Sequence, residues 1–223
     1  MSFSIAIDGP AGAGKSTIAK KIAKELHFIY VDTGAMYRAM ALFLIRNGVS
    51  LDEKDKISVM CKLANITILY EDGEQQVWLN GENVTGLLRT EEVGNMASSS
   101  SVHPDVRIKL VELQRQLAEK SDVVMDGRDI GTHVLPNANL KIYLTASSFV
   151  RAQRRYDELI AKGEECDLEK IELDIMERDT RDMTRDISPL RQADDAILID
   201  SSDMTIDEVV EAVVKLCFES GAM

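Results

Sequence analysis

The sequence predicts an α/β fold: a parallel sheet flanked by helices, with a small antiparallel β meander inserted and an arginine-rich helical segment later in the chain. Three observations predict it. Short apolar runs alternate with longer amphipathic stretches, the rhythm of βαβ units. That rhythm breaks over residues 49–100, where strand-like runs are separated by turn signals. The first apolar run ends in a glycine-rich loop, Gly9-Pro-Ala-Gly-Ala-Gly-Lys-Ser16, that leads straight into a helical pattern.

Phe3 to Ile7 is nearly continuous in apolar residues, as a strand buried on both faces requires. Over residues 15–26 the period changes. Ile18, Ala19, Ile22, Ala23 and Leu26 share one helical face, and Lys20, Lys21, Lys24 and Glu25 lie mostly outside it. Phe28 to Val31 is a second strand. A helix follows from about Gly34 to Arg46, with Gly48 as its stop. Within 49–100, Ile66–Tyr70 and Gln76–Leu79 are short strands around the turn Glu71-Asp72-Gly73-Glu74. Asn80-Gly81 turns the chain again before Asn83-Val84-Thr85. These runs form either a separate meander or an edge extension of the main sheet.

Pro104 opens a helix to about Lys120. Asp122–Met125 and Leu140–Leu144 are buried strands. Helices cover about 147–161 and 168–183, separated by the polar stretch Gly163–Asp167. Ala196–Ile199 is the last strand and 205–218 the last helix. The whole is one domain over 1–223, with its core at about 1–48, 101–150 and 190–223, an insert at about 49–100 and an arginine-rich part at about 151–189.

Composition narrows the function. With 45% hydrophobic residues, the 223-residue chain can bury a sizeable core. A formal charge of −12 repels nucleic acid and anionic membranes, so neither is an expected partner. Cys61, Cys166 and Cys217 form no CxxC pair and fit a reducing compartment. No secretory signal is expected, since Asp8 and the glycine loop interrupt the first apolar run. The expected location is the cytoplasm.

The loop matches G-x-x-x-x-G-K-[ST] between a strand and a helix, the context that a P-loop requires. Its glycines let successive N–H groups point inward around an anion, and the helix aims its positive end at the same point. Lys15 reaches the β- and γ-phosphates of ATP, and the Ser16 hydroxyl coordinates Mg²⁺. The chain is therefore a P-loop NTPase-type protein, with ATP as co-substrate and Mg²⁺ as cofactor.

Seven of the 13 arginines fall between residues 151 and 191. Arg151, Arg154 and Arg155 share one helical face, and Arg178, Arg181 and Arg185 another. Interleaved aspartates permit a bland reading as solvated ion pairs. In an acidic protein with a phosphate loop, fixed guanidinium groups have a better use: closing over a transferring phosphoryl group. Two further runs, Asp32-Thr-Gly-Ala-Met-Tyr-Arg38 and Asp126-Gly-Arg-Asp129, follow strands at the carboxyl edge where ligands bind in such sheets. Asp126 there can organise Mg²⁺ through water.

Taken with their order and spacing, "IDGPAGAGKST" (7–17), "DTGAMYRAMAL" (32–42), "TEEVGNMAS" (90–98), "DGRDIGT" (126–132) and "ERDTRDMTR" (177–185) make the chain resemble the bacterial-type cytidylate kinases, over essentially its whole length. The resemblance implies transfer of the ATP γ-phosphoryl group to CMP or dCMP, a monophosphate-binding insert, an arginine-rich lid, and a monomer. It implies that Gly9, Pro10, Ala11, Gly12, Ala13, Gly14, Lys15, Ser16 and Thr17 hold ATP. It implies that Arg38 and Arg128 take the CMP phosphate, and that Thr33, Ser98, Arg107 and Asp129 surround the base, with Tyr37 beside them. Arg178, Asp182 and Arg185 fall at the sugar or phosphates, and Arg155 and Arg181 in the lid. Lys15, Arg128, Arg155, Arg178 and Arg181 are then the catalytic set. Some members carry Ser at Thr33, which keeps the hydroxyl, and others carry Gly at Ser16, where the metal role must shift.

Base chemistry agrees with that implication. Cytosine offers an amino donor and two acceptors, which a carboxylate and a guanidinium match; uracil reverses the pattern. A CMP phosphate is already an anion, so no side-chain base is needed, and His27, His103 and His133 receive no role. Two other readings remain: a kinase of a neutral metabolite, with Asp32 as base, or a nucleotide-dependent switch. No N-K-x-D run for guanine occurs.

Overall fold

The computed structural model describes residues 2–71 and 73–222. Asp72 of the expected turn lies outside them. Five parallel strands form the main sheet: β1 (Ser4–Asp8), β2 (Ile29–Asp32), β6 (Val123–Gly127), β7 (Leu140–Thr145) and β8 (Ile197–Asp200). Their spatial order is β2-β6-β1-β7-β8. Strand β1 lies at the centre, and the chain grows outward from it in both directions. Its carboxyl end is therefore a topological switch point, where crossovers leave a crevice.

Side chains alternate across the sheet as a strand requires. Ile5 and Ile7 point to one face, where they pack with Ile18, Ile22, Val209 and Val213 of α1 (Lys15–Leu26) and α8 (Ile206–Glu219). Ala6 and Met125 point to the other face. There they meet Met36, Met40 and Leu44 of α2 (Thr33–Arg46), and Val106 and Leu110 of α5 (Pro104–Lys120). Because both faces are covered, these strands read in sequence as apolar runs rather than alternating ones.

Local chemistry fixes most helix starts. Asp32 accepts from Ala35 N at 2.8 Å, Ser147 from Val150 N at 3.2 Å, and Thr205 and Glu208 form a capping box. Helix α1 differs: among the described residues no side chain caps it. Its first-turn N–H groups open instead onto the glycine loop. Gly48 stops α2 with φ of 59°, as expected.

The segment 49–100 contains the expected meander as its own sheet, β3 (Ile66–Glu71), β4 (Glu74–Leu79) and β5 (Glu82–Asn83). It is not an edge extension of the main sheet. The segment also holds α3 (Lys54–Leu63) and α4 (Glu91–Ser100), which the sequence reading left without structure. Their buried stripes are narrow: Ile57 and Cys61 in one, Val93, Ala97 and Ser100 in the other. Such stripes give little periodicity to read. Helices α6 (Ser148–Ala161) and α7 (Leu168–Thr184) pair as a hairpin.

Candidate active site

The crevice at the carboxyl edge is a cleft of about 510 Å³. At one end stands the glycine loop. A Cβ on Gly9 would lie 1.9 Å from the Leu144 carbonyl oxygen, so only glycine lets the loop leave β1 this close to β7. Gly12 and Gly14 have φ of 77° and 85°, the left-handed region that favours glycine. Lys15 is only 5% exposed and donates to the Pro10 carbonyl at 2.6 Å across the loop. Burial, and then the charges of Arg128 and Arg178, hold its ammonium well below the usual lysine range.

Ser16 donates its hydroxyl to one oxygen of Asp126 at 2.9 Å, and Tyr30 donates to the other at 2.8 Å. Burial, reinforced by the nearby Asp32 charge, pushes the Asp126 carboxyl up to about 6. Thr33 donates its hydroxyl to the Asp126 backbone carbonyl at 2.7 Å, which ties the start of α2 to the end of β6. One turn on, Arg38 pairs with Asp32 at 3.1 Å and its Nε is buried without a partner.

The far end of the cleft is a buried cluster of charges. Arg107, 3% exposed, pairs with Asp129, and Arg185 stands 3.5 Å from the other carboxylate oxygen. The Arg107 guanidinium lies 5.8 Å from the Tyr37 ring centroid, a cation–π distance. Burial raises the Tyr37 hydroxyl to about 12. Asp129 leads into a π-helical turn, Ile130–Val134, that the sequence reading did not foresee. Asp8 strings that turn to β1, accepting from Ile130 N at 2.8 Å and Gly131 N at 2.7 Å. Burial outweighs those two donors and pushes the Asp8 carboxyl up to about 6.

Between the two ends lie the arginines. Arg128 donates from Nε to Asp182 at 2.9 Å. Arg178 lines the cleft, and burial together with the Arg128 charge lowers its proton affinity. The same causes, with Arg107 as the neighbour, lower that of Arg185. Arg155 stands at the rim, paired with Glu158 at 3.2 Å. Arg151 turns under the glycine loop instead. It donates to the Ala11 and Ala146 carbonyls, each at 2.9 Å, and pairs with Asp179 at 2.6 Å. Arg154 turns away to the Ser201 carbonyl at 2.7 Å.

Most of the residues singled out from the sequence thus share one cleft. Ala11, Gly12, Gly14, Lys15, Ser16 and Thr17 line it with Thr33, Tyr37, Arg38, Ser98, Arg107, Arg128, Asp129, Arg155, Arg178, Asp182 and Arg185. Gly9, Pro10 and Ala13 do not line it and shape the loop from behind; Arg181 lies outside as well, its guanidinium 3.4 Å from the Ser98 hydroxyl. The sequence reading missed Asp8, Tyr30 and the lining residues Leu88, Arg89, Thr90 and Ser101. Asp8 carried one signal, a carboxylate closing an apolar strand. The others carried none without the fold.

A family model described as Cytidylate kinase matches residues 5–219. A cytidylate kinase of Caldicellulosiruptor bescii is 50% identical over 217 residues, 97% of this chain and 96% of that one. The cytidylate kinase of Bacillus subtilis is 46% identical over 213 residues, 96% of this chain and 95% of that one. Among solved structures, an uncharacterized protein from Eubacterium ventriosum superposes with a TM-score of 0.53 at 15% identity, covering 98% of this chain and 99% of that one. That last likeness is one of fold alone.

Proposed function

The chain belongs to the cytidylate kinase family, and from that premise we infer that it transfers the γ-phosphoryl group of ATP to CMP or dCMP, giving ADP and CDP or dCDP. The observation that carries the reading is the cleft itself. It joins a phosphate loop to a buried carboxylate–guanidinium pair, with arginines between. A nucleoside monophosphate fits that sequence of groups: base at Asp129 and Arg107, phosphate at Arg38 and Arg128, ATP phosphates at residues 9–17. We read 49–100 as the monophosphate-binding insert and 151–189 as the lid.

Asp129 accepts from the cytosine amino group, and Arg107 donates to the ring acceptors. Thr33, Tyr37 and Ser98 enclose the base. Asp182, Arg178 and Arg185 face the sugar and phosphate. An oxygen of the CMP phosphate attacks the γ-phosphorus in line. The new P–O bond forms as the bond to the β–γ bridging oxygen breaks, and ADP leaves with the electron pair. The acceptor is an anion, so no proton must be removed. Asp32, the base that a neutral acceptor would require, is already engaged by Arg38 and Ala35 N.

Catalysis is then positioning and charge neutralisation. Lys15, Arg128 and Arg178 are pressed together in the empty cleft, and incoming phosphates relieve their repulsion. Arg155 and Arg181 approach from the lid. Mg²⁺ fits the residues present: Ser16 and Asp126 offer hard oxygen donors side by side at the loop. Among the described residues no cluster of three His, Cys, Asp or Glu could hold a metal alone. The ATP phosphates therefore supply most of the ligands. When bound, Mg²⁺ neutralises phosphate charge.

Every residue of the cleft comes from one chain, which supports a monomer as the working unit. No described helix is long and apolar enough to cross a membrane. Cys61, Cys166 and Cys217 are free thiols, in keeping with a cytoplasmic location. ADP formation from ATP-Mg²⁺ with CMP, dCMP, UMP, AMP or GMP, beside an acceptor-free control, tests the reading. Turnover confined to CMP and dCMP is the expected result. Strong turnover of UMP overturns the base assignment, and absence of acceptor-dependent turnover overturns the function.

A further inference from the structure

Strand β2 is an edge strand, yet its open edge is not left to water. Ile29 N bonds to Asp122 O on the β6 side, so the alternate residues Tyr30 and Asp32 present their backbone groups outward. Side chains of the meander meet them there. Tyr70 on β3 donates its hydroxyl to the Tyr30 carbonyl at 3.1 Å. On β4, the Gln75 carboxamide accepts from Asp32 N at 2.9 Å and donates to Asp32 O at 3.2 Å. One side-chain amide thus makes the pair of bonds that a neighbouring strand would make.

The residue so held is the one that aims Arg38. The Asp32 carboxylate accepts from Ala35 N and from Arg38 Nη2, the latter at 3.1 Å. Gly34 leaves room for this pair, since a Cβ there would lie 3.1 Å from Arg38 Nη1 and 3.2 Å from Asp32 Oδ1. Arg38 is therefore gripped through Asp32 from two sides, by the first turn of α2 and by the meander.

We propose that Gln75 is a positioning residue for the acceptor phosphate: its carboxamide fixes the Asp32 backbone, and through the Asp32 carboxylate it sets where the Arg38 guanidinium stands. This rests on the reading that Arg38 takes the CMP phosphate. Gln75 makes the insert part of the acceptor site without touching the acceptor. Tyr70 is the internal control, because its bond docks the same meander but ends on Tyr30, which does not hold Arg38.

Steady-state kinetics of Gln75→Met, Gln75→Asn, Tyr70→Phe and Arg38→Lys, with thermal melts of each, test the proposal. Methionine keeps the packing volume and removes both bonds; asparagine is polar and one methylene too short for them. The KM for CMP rises about three- to tenfold in both Gln75 variants, the value of one net hydrogen bond, while the KM for ATP stays within about twofold. Tyr70→Phe lowers the melting temperature and leaves the KM for CMP unchanged. An unchanged KM for CMP in the Gln75 variants overturns the proposal. So does a parallel rise in the KM for ATP, or an equal rise in Tyr70→Phe, each of which marks general docking of the meander. Arg38→Lys separates the two levels. If it leaves the KM for CMP intact, the phosphate assignment falls and the proposal with it; if it raises the KM and the Gln75 variants do not, the proposal alone falls.

Discussion

The two ends of the cleft hold similar charges in opposite conditions. At the base end, Asp129 sits between Arg107 and Arg185, and the set is buried and matched before any ligand arrives. At the phosphate end, Lys15 and Arg178 are buried beside Arg128, and their mutual repulsion lowers their hold on protons. Only Arg128 has a carboxylate partner there, Asp182. The contrast teaches what each end is for. A matched pair presents a fixed pattern of donors and acceptors, which suits recognition of a neutral base. A crowded set of cations gains most when several negative charges enter together, which suits phosphoryl transfer.

Replacing Lys15 with Met breaks the comparison most severely. Turnover of CMP falls by about three orders of magnitude, as when a preorganised charge is removed from a transition state. The melting temperature of the ligand-free protein does not fall, because a crowded buried cation has gone. A coupled ADP assay and a thermal melt check both, and near-normal turnover would sink the catalytic role.

Asp129→Asn attacks the other end, and its effects are reversed in kind. Two buried guanidinium groups lose their shared partner, which costs about 3 kcal/mol of stability. The preference for CMP over UMP in kcat/KM falls by about two orders of magnitude, since the carboxylate matched to the amino group is gone. Denaturant titration and the two-substrate comparison measure these effects. Retained discrimination would show that the base is read elsewhere.

The smallest effect sharpens the comparison through the support of Asp129. Asp8 holds the turn that follows Asp129, and its carboxyl is raised to about 6 by burial. A raised carboxyl binds its proton more tightly in the folded than in the unfolded chain. Its stabilising contribution is therefore full below the unfolded value near 4 and is lost as the pH rises through about 6. The melting temperature of the unsubstituted chain minus that of Asp8→Asn should fall between about pH 4 and about pH 7 and level off above. Asp126 titrates in both proteins and cancels in the difference. A flat difference would show that Asp8 is not held as an uncomfortable charge.

How much of this was legible before the fold was known differs by residue. Ile18, Ile22 and Leu26 announce α1 because a helix over a parallel sheet must repeat its apolar face, and Ile5 to Ile7 announce β1 because both its faces are covered. Helices α3 and α4 were silent because each buries only two or three residues. Within the site, the glycine loop is contiguous, so its spacing carries its geometry. Arg107, Asp129 and Arg185 come from three separate segments, and nothing local says that they meet; the family resemblance supplied that. The arginine pattern misled in part. Arg151, Arg154 and Arg155 share a helical face in sequence, yet one goes under the loop, one to Ser201 and one to the rim. A long side chain can leave its helix in several directions, and burial decides which. Gln75 and Asp8 act by holding backbone, and backbone partners have no sequence signature.

The bonds of Arg151 have a mechanical consequence. They bolt the α6–α7 hairpin to the Ala11 carbonyl of the glycine loop and to Asp179 of α7. Any rocking of the hairpin that keeps those bonds turns about that point as a fulcrum. Arg178 and Asp182 lie within one turn of it, on the short arm. The far end of α7 at Leu168 is about 16 Å away along the helix axis, on the long arm. A tilt of the hairpin is thus geared down where the phosphates sit and geared up at the loop around Gly163. The hairpin can sweep a wide arc at its tip while its arginines move through a fraction of that distance.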